Sequence, residues 1–332
     1  MVTLKTVAEK AGVSPATVSR VINNTTGVYV ASDTREKVMQ AVELLHFVPN
    51  TSARSLRSNK TKNIALLIPD ICNPAYPPTI QGVEEYARKA NFNIILCITH
   101  NDLENERYYI EKLKHSQVDG FLICSMTPQS GAVYQLKKDN IPTVLIARHY
   151  GEGIDAVVVD NYNGAYNAVK YLIRTGRKKI AAVSGNLSIP LYQQRLQGYK
   201  DALAAGDQPE DESLIVYETA NKDALFQTVR DLIAQHPDID AVFATSDEKA
   251  IITMRAIGAS GYVVPRDIAV IGFDNIGISK LLNPPLTTTA QPFVEMGRVA
   301  TQKLIDRIEG KNTGPAVVDV MKTELIIRES SD

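Results

Sequence analysis

Apolar residues near the start of the chain recur with helical spacing. Leu4, Val7, Ala8 and Ala11 fall at i, i+3, i+4 and i+7 and make one apolar face. Gly12 ends this helix. Ser14 is a favourable N-cap, and Pro15 then takes the first helical position, where its missing N–H costs nothing. The second helix runs to about Asn23 with Val18, Val21 and Ile22 inward, leaving Pro15, Ala16, Thr17, Ser19 and Arg20 on the other side. A third begins at Asp33, with Glu36 in capping-box position, and buries Val38, Ala41, Val42 and Leu45.

From residue 63 the period changes. Apolar runs at Ile64–Pro69, Ile94–Ile98, Gly120–Cys124, Thr143–Ala147 and Ala156–Val159 form one series. Ile180–Ser184, Leu214–Tyr217, Ala241–Thr245 and Ile268–Phe273 form a second. Helical patterns lie between them, among them Val83–Ala90, Arg107–Lys114, Ala165–Thr175, Arg195–Ala204, Ala224–Ala234 and Ala250–Ala259. Near-continuous Val/Ile/Leu strands alternating with helices specify parallel sheets covered on both faces. The expected fold class is α/β: a helix-turn-helix headpiece and hinge helix, then two doubly wound parallel-sheet subdomains. A helix around Glu295–Ile308 and a strand over Val317–Ile327 are expected to cross back between the subdomains.

At 332 residues, with 44% hydrophobic and 22% charged side chains, the chain has ordinary globular usage and needs no staple to fold. Its apolar runs fall far short of the ~20 residues of a membrane span. The N-terminus lacks an apolar signal region, so a cytoplasmic protein is expected. Cys72, Cys97 and Cys124 have no paired spacing, and neither a metal nor a cofactor is called for. The net charge of −1 hides an asymmetry: residues 1–62 carry nine Lys and Arg against four Asp and Glu, +5, and the remainder carries −6. A basic small segment on an acidic body suggests different partners for the two parts.

Two short helices joined by a Gly-containing turn and braced by a third match the helix-turn-helix pattern, whose second helix enters a major groove. Small residues at its start permit close approach, and Arg20 can bond bidentately to guanine. The bland alternative is a small helical bundle for protein contacts. The text LKTVAEKAGVSPATVSRVIN, followed by TREKV and VPNTSARSLRSNKT, closely resembles the headpiece of the LacI/GalR family of bacterial transcription regulators over residues 2–62. The resemblance implies that Pro15, Ala16 and Arg20 read bases and that Thr3, Ser14, Thr17, Ser19 and Asn23 hold phosphates. It further implies that Asn50–Ser58, with Asn50 and Ala53, forms a hinge helix whose Leu56 wedges between base steps in the minor groove. Pro15 and Ala16 offer no side-chain hydrogen bonds, and the Thr25–Ser32 loop is about two residues longer than usual in the family.

In open parallel sheets ligands bind beyond the carboxyl ends of the strands. The residues just beyond the strands of this chain are polar: Asp70–Asn73, Thr99–Asp102, Ser125–Thr127, Arg148–His149, Asp160–Asn161, Gly185–Asn186, Ser246–Asp247 and Asp274–Asn275. Each alone is an ordinary helix cap, but together they favour a polar ligand in an interdomain cleft. The family resemblance extends through PDICNPAY, QVDGFLIC, QQRLQGYKDAL, DIAVIGFDN and LTTTAQP. By that resemblance Arg195 and Asp274 are the main charged clamps of an effector in a periplasmic-binding-protein-like body. Asn73, Ala75, Tyr76, Arg148, Ser246 and Asp247 line the cleft, and Asp160 is a further candidate. Ala75 replaces a usual aromatic and Ser246 a usual Asn.

No GxSxG, HExxH, GxxxxGK[ST] or GxGxxG sequence appears, and the five histidines are scattered without base partners. Two readings remain. The first is a non-enzymatic transcription regulator, in all expectation a repressor. It grips a pseudo-palindromic DNA operator as a homodimer and is controlled by a small polar effector in the interdomain cleft, expected to be a sugar or sugar phosphate. The second is a sugar-binding or sugar-processing module whose headpiece is not a specific DNA reader. On the first, residues 1–48 are the headpiece, 49–60 the hinge, and 61–332 the effector and dimerisation domain. In that domain about 61–160 with part of 291–320 forms one subdomain, and about 161–290 with the C-terminal strand forms the other. The resemblance leaves open a phosphoprotein corepressor, which some relatives use.

Overall fold

The structure, a computed structural model, describes residues 2–22, 29–47, 60–115, 117–124, 131–149, 153–218 and 222–332. The chain divides into two compact units, Met1–Thr61 and Lys62–Asp332.

The first unit holds α1 (Leu4–Ala11), α2 (Pro15–Ile22) and α3 (Ser32–Leu44). Thr3 caps α1 in a reciprocal box with Thr6, and Gly12 closes it at φ 67°, a left-handed value that suits glycine. Ser14 Oγ accepts from the Thr17 amide at 3.1 Å, which caps α2. The expected capping box of α3 is absent. The helix starts one residue earlier, at Ser32, and its N-cap Ala31 has no side chain able to accept; Glu36 instead takes a bond from Gln40. Val7, Ala8, Val18, Val21, Val38, Ala41 and Phe47 form the small core. Asn23, Asn50, Ala53, Leu56 and the first half of the Thr25–Ser32 loop lie outside the described residues.

The second unit carries two six-stranded sheets. One has the order β11-β5-β4-β3-β1-β2, built from β1 (Asn63–Ile68), β2 (Asn93–Ile98), β3 (Gly120–Ile123), β4 (Thr143–Ile146), β5 (Asp155–Val159) and β11 (Val318–Met321), all parallel. The other has the order β12-β10-β9-β8-β6-β7. It is built from β6 (Ile180–Ser184), β7 (Ile215–Tyr217), β8 (Ala241–Ala244), β9 (Ala269–Asp274), β10 (Thr287–Ala290) and β12 (Glu324–Ile326), and its neighbours run parallel except β12 against β10. The sheet helices are α4 (Tyr76–Lys89), α5 (Leu103–Lys114), α6 (Gly131–Lys138), α7 (Asn161–Arg174), α8 (Pro190–Ala205), α9 (Lys222–Gln235), α10 (Asp247–Ala259) and α11 (Phe293–Ile308).

The chain passes between the sheets three times: at Asp160 between β5 and α7, at Gln291–Pro292 between β10 and α11, and at Lys322–Thr323 between β11 and β12. The single strand expected over Val317–Ile327 is thus two strands in two sheets. β10 was not expected, because its threonines are buried but do not read as apolar. Thr287 and Thr289 bond to the Arg328 and Gly164 carbonyls, and Thr288 to Asp247, which satisfies them inside the sheet.

Glycines set how closely two helices pack. A Cβ on Gly82 of α4 would stand 1.9 Å from the Val294 carbonyl oxygen, and one on Gly297 of α11 would stand 2.2 Å from that of Thr79. Backbone cannot yield there as a side-chain tip can. Gly82→Val is expected to destabilise the body by at least the ~1–3 kcal/mol typical of overpacking. Gly258→Ala in α10, where an added Cβ meets nothing within 4 Å, should leave stability unchanged or slightly raised. Paired thermal denaturation of the two variants checks this.

Candidate functional site

On α2, Val18 and Val21 are buried while Ser14, Pro15, Ala16 and Arg20 are exposed. The same 3.6-residue period that fills the core therefore presents a narrow, nearly flat face, with one long cation at its far end. Ser14 Oγ and Thr17 Oγ1 lie 2.9 Å apart, and Thr3 is also exposed. The helix thus offers hydroxyls at its start and a guanidinium one turn on, the donors that phosphates and a guanine edge accept from.

The second site is a cavity of about 810 Å³, including its open mouth, between the carboxyl ends of the two sheets. The Asn73–Tyr76 loop, Ile146, Ala147 and Arg148 line it from one sheet's rim, and Tyr192, Arg195, Ser246, Lys249, Asp274 and Ile276 from the other. Gln291 and Phe293, at a crossing between the sheets, complete the wall.

Arg195, 3% exposed, organises the second wall. Its Nε donates to Asn161 Oδ1 at 2.8 Å and its Nη1 to the Thr245 carbonyl at 2.6 Å. The guanidinium lies 3.7 Å over the Phe273 ring, and Nη1 is 3.5 Å from Asp274 Oδ1. One side chain so ties the start of α7 and the ends of β8 and β9 together. Asp274 also accepts from Gln291 Nε2 at 2.6 Å, which couples the clamp to the crossing segment between β10 and α11. Its backbone sits at φ 131°, a strained value for an aspartate, and Asn275 follows at 57°.

Burial pushes the Asp274 carboxyl up to about 7, against the pull of Arg195. The unfolded chain ionises this group near its ordinary value of 3.8, while the folded protein keeps the proton until about pH 7. The group therefore lowers stability progressively as pH rises between those values and adds no further change above about 7. Asp274→Asn is expected to remove that part of the decline. Melting temperatures of both proteins from pH 4 to 8 should diverge upward for the variant, and parallel curves would contradict the assignment.

Of the effector residues expected from sequence, Asn73, Ala75, Tyr76, Arg148, Arg195, Ser246 and Asp274 meet in this cavity. Asp160 and Asp247 do not line it. Asp160 caps α7, accepting from the Asn163 amide at 3.0 Å and its Nδ2 at 2.7 Å. Asp247 is fully buried and holds the following loop, through the Ile276 amide at 2.9 Å and Ser279 Oγ at 2.6 Å. Sequence reasoning missed Tyr192, Lys249, Gln291 and Phe293. All but Gln291 sit in or next to the first turn of a helix rather than at a strand end, so a rule that reads strand ends passes over them. Desolvation pushes the phenol of the half-buried Tyr76 up, against the pull of Arg148, which it contacts; burial likewise raises the neighbouring Cys124 thiol to about 12, an unreactive value.

Among the described residues no group of His, Cys, Asp and Glu could hold a metal ion, and no helix is long and apolar enough to cross a membrane. Residues 3–50 match the family model described as bacterial regulatory proteins, lacI family. Residues 61–329 match that of periplasmic binding proteins and the sugar binding domain of the LacI family. The chain is 35% identical to the ribose operon repressor of Halalkalibacterium halodurans, covering 100% of this chain and 97% of that protein. It is 36% identical to the transcriptional regulator CelR of Thermobifida fusca, covering 99% and 98%. Among solved structures, a CelR–cellobiose complex superposes with TM-score 0.76 at 34% identity, covering 99% and 100%. The lac repressor dimer bound to operator and an anti-inducer superposes with TM-score 0.88 at 25% identity, covering 99% of both chains.

Proposed function

The chain belongs to the LacI family of bacterial regulatory proteins, DNA-binding regulators of transcription, and on that footing we propose that it is a repressor acting as a homodimer on a pseudo-palindromic operator. The α2 face of each copy reads one half-site, with Arg20 as the main hydrogen-bonding base contact and Thr3, Ser14, Thr17, Ser19 and Asn23 on phosphates. Two half-sites are needed because a single small headpiece makes too few contacts for operator-level affinity. Leu56, by family resemblance, wedges into the minor groove at the operator centre. The relatives are regulators rather than enzymes, and the protein is read as a non-catalytic cytoplasmic one.

The cleft takes a small polyhydroxylated effector. The observation that carries this is the cavity whose walls come from the rims of both sheets and from the crossing segment at Gln291–Phe293. A ligand touching both walls favours one relative setting of the subdomains, and it alters operator affinity only as far as it prefers that setting. The names of relatives, a ribose operon repressor and a regulator in complex with cellobiose, support a sugar-like molecule.

Gel shift on a pseudo-palindrome with a central CG step tests the DNA half of the reading. Wild type is expected to bind it in preference to scrambled DNA, and Leu56→Ala to lose most of that preference. Equal binding of both DNAs by wild type would sink the operator assignment.

A further inference from the structure

Lys249 is the feature of the cleft that the clamp of Arg195 and Asp274 does not explain. It stands in the first turn of α10, its side chain is 3% exposed, and it lines the cavity. A buried lysine is costly unless held. Glu218 holds it, with Nζ 2.8 Å from Oε2, and the Tyr192 ring lies beneath it at 5.0 Å. The same ring is flanked by the Arg195 guanidinium at 6.0 Å. The Tyr192 ring packs directly on Gly185, where an added Cβ would stand 2.4 Å from it.

Two buried cations of the cavity lining thus lie within 6.0 Å of the centre of one aromatic ring that lines it with them. Arg148, also buried, faces it from the other wall, so the lining has three cations against Glu248 and Asp274. Burial drives Asp274 toward its neutral form, and Glu218 stands behind Lys249 rather than in the lining. The helices add to the same sign. Tyr76 opens α4, Leu191 and Tyr192 lie in the first turn of α8, Ser246 caps α10, and Phe293 opens α11. All five line the cavity, so four positive helix ends converge on it.

We propose that Lys249 is a specificity-determining residue and that the effector is an anionic sugar, its carboxylate or phosphate seated between Lys249 and Arg195 beside Tyr192. This rests on the cleft being the effector site. An ammonium already bound to one carboxylate still has donors for a second acceptor, and an anion there shares the lysine with Glu218. A neutral sugar gains hydrogen bonds from the same groups but adds no charge to meet the cations of the lining.

The test is calorimetric titration of the full-length protein with matched probes: ribose and ribose 5-phosphate, glucose, glucose 6-phosphate and glucuronate, galactose and galacturonate. At least one anionic probe is expected to bind tenfold or more tightly than its neutral parent. Preference for the phosphates or for the uronates tells the two anions apart. Lys249→Met should reduce the ratio of anionic to neutral affinity to about threefold or less, Lys249→Arg should retain most of it, and Glu218→Gln should raise it. A folding defect would move both affinities together and leave the ratio unchanged. Neutral parents binding as well as the anions, no binding by any anion, or an unchanged ratio in Lys249→Met each overturns the proposal. Unchanged affinity of every binding probe in Asp274→Ala would instead overturn the placement of the effector site itself.

Discussion

Arg20→Ala is expected to abolish operator recognition while leaving the protein folded. Arg20 is exposed at the end of α2 and makes no contribution to the core of Val7, Val18, Val21 and Val38, so its removal opens no cavity. Pro15 and Ala16 share that face without a side-chain donor or acceptor, which leaves Arg20 to carry most of the hydrogen-bonded base readout. A bidentate arginine–guanine contact is worth about 1–3 kcal/mol of discrimination. Over two half-sites the loss is about 2–6 kcal/mol, or roughly thirtyfold to ten-thousandfold in affinity. Binding to scrambled DNA, which depends on phosphate contacts, should fall far less. Fluorescence anisotropy at fixed salt measures both; a proportional drop on the two DNAs would show that Arg20 serves as a phosphate contact only.

Arg195→Met should have the complementary outcome: operator binding kept, effector response lost. The methionine preserves much of the aliphatic stem but removes the donors to Asn161 Oδ1 and the Thr245 carbonyl, the stack on Phe273 and the cation beside Asp274. Breaking a buried pair by removing one partner costs about 3–5 kcal/mol. The cost here should lie near the lower end, because Asp274 already tends toward its neutral form. A charged hydrogen bond contributes about 1.5–3 kcal/mol, so loss of the clamp should weaken effector binding by at least about tenfold. Titration of a binding sugar against wild type and variant, together with their melting temperatures, separates the two effects. Retained affinity in a destabilised variant would make Arg195 structural only.

The sheets were legible because parallel strands covered on both faces must be apolar throughout. Ile64–Ile68 and Ile180–Val183 are buried along their whole length, so any reading of hydrophobic runs finds them. β10 and α6 were not legible for opposite reasons. Thr287, Thr288 and Thr289 are polar by composition but satisfied by partners distant in sequence. α6 is short and buries only Val133 and Leu136, too few positions for a period. The cleft was legible as a rim but not as a set of directions. Asp247 and Asp274 both end or follow strands, yet one turns inward to hold the Ile276–Ser279 loop and the other meets Arg195 in the cavity. Which way each points is decided by Thr288, Ser279 and Gln291, residues the local sequence does not bring together. Lys249 was overlooked because a lysine in the first turn of a helix ordinarily reads as solvated surface, and Glu218, which permits its burial, lies on the far side of α9 in sequence.

The central claim is that the cleft of the acidic body controls what the basic headpiece does. The most direct measurement is operator binding by the full-length protein, followed by anisotropy across a titration of a sugar or anionic sugar that binds it. Wild type should change its operator affinity several-fold or more, at concentrations matching effector binding. Asp274→Ala should hold the same operator with an affinity that no longer responds. An operator affinity unchanged across saturating ligand in wild type, or an unaltered response in Asp274→Ala, would contradict the account.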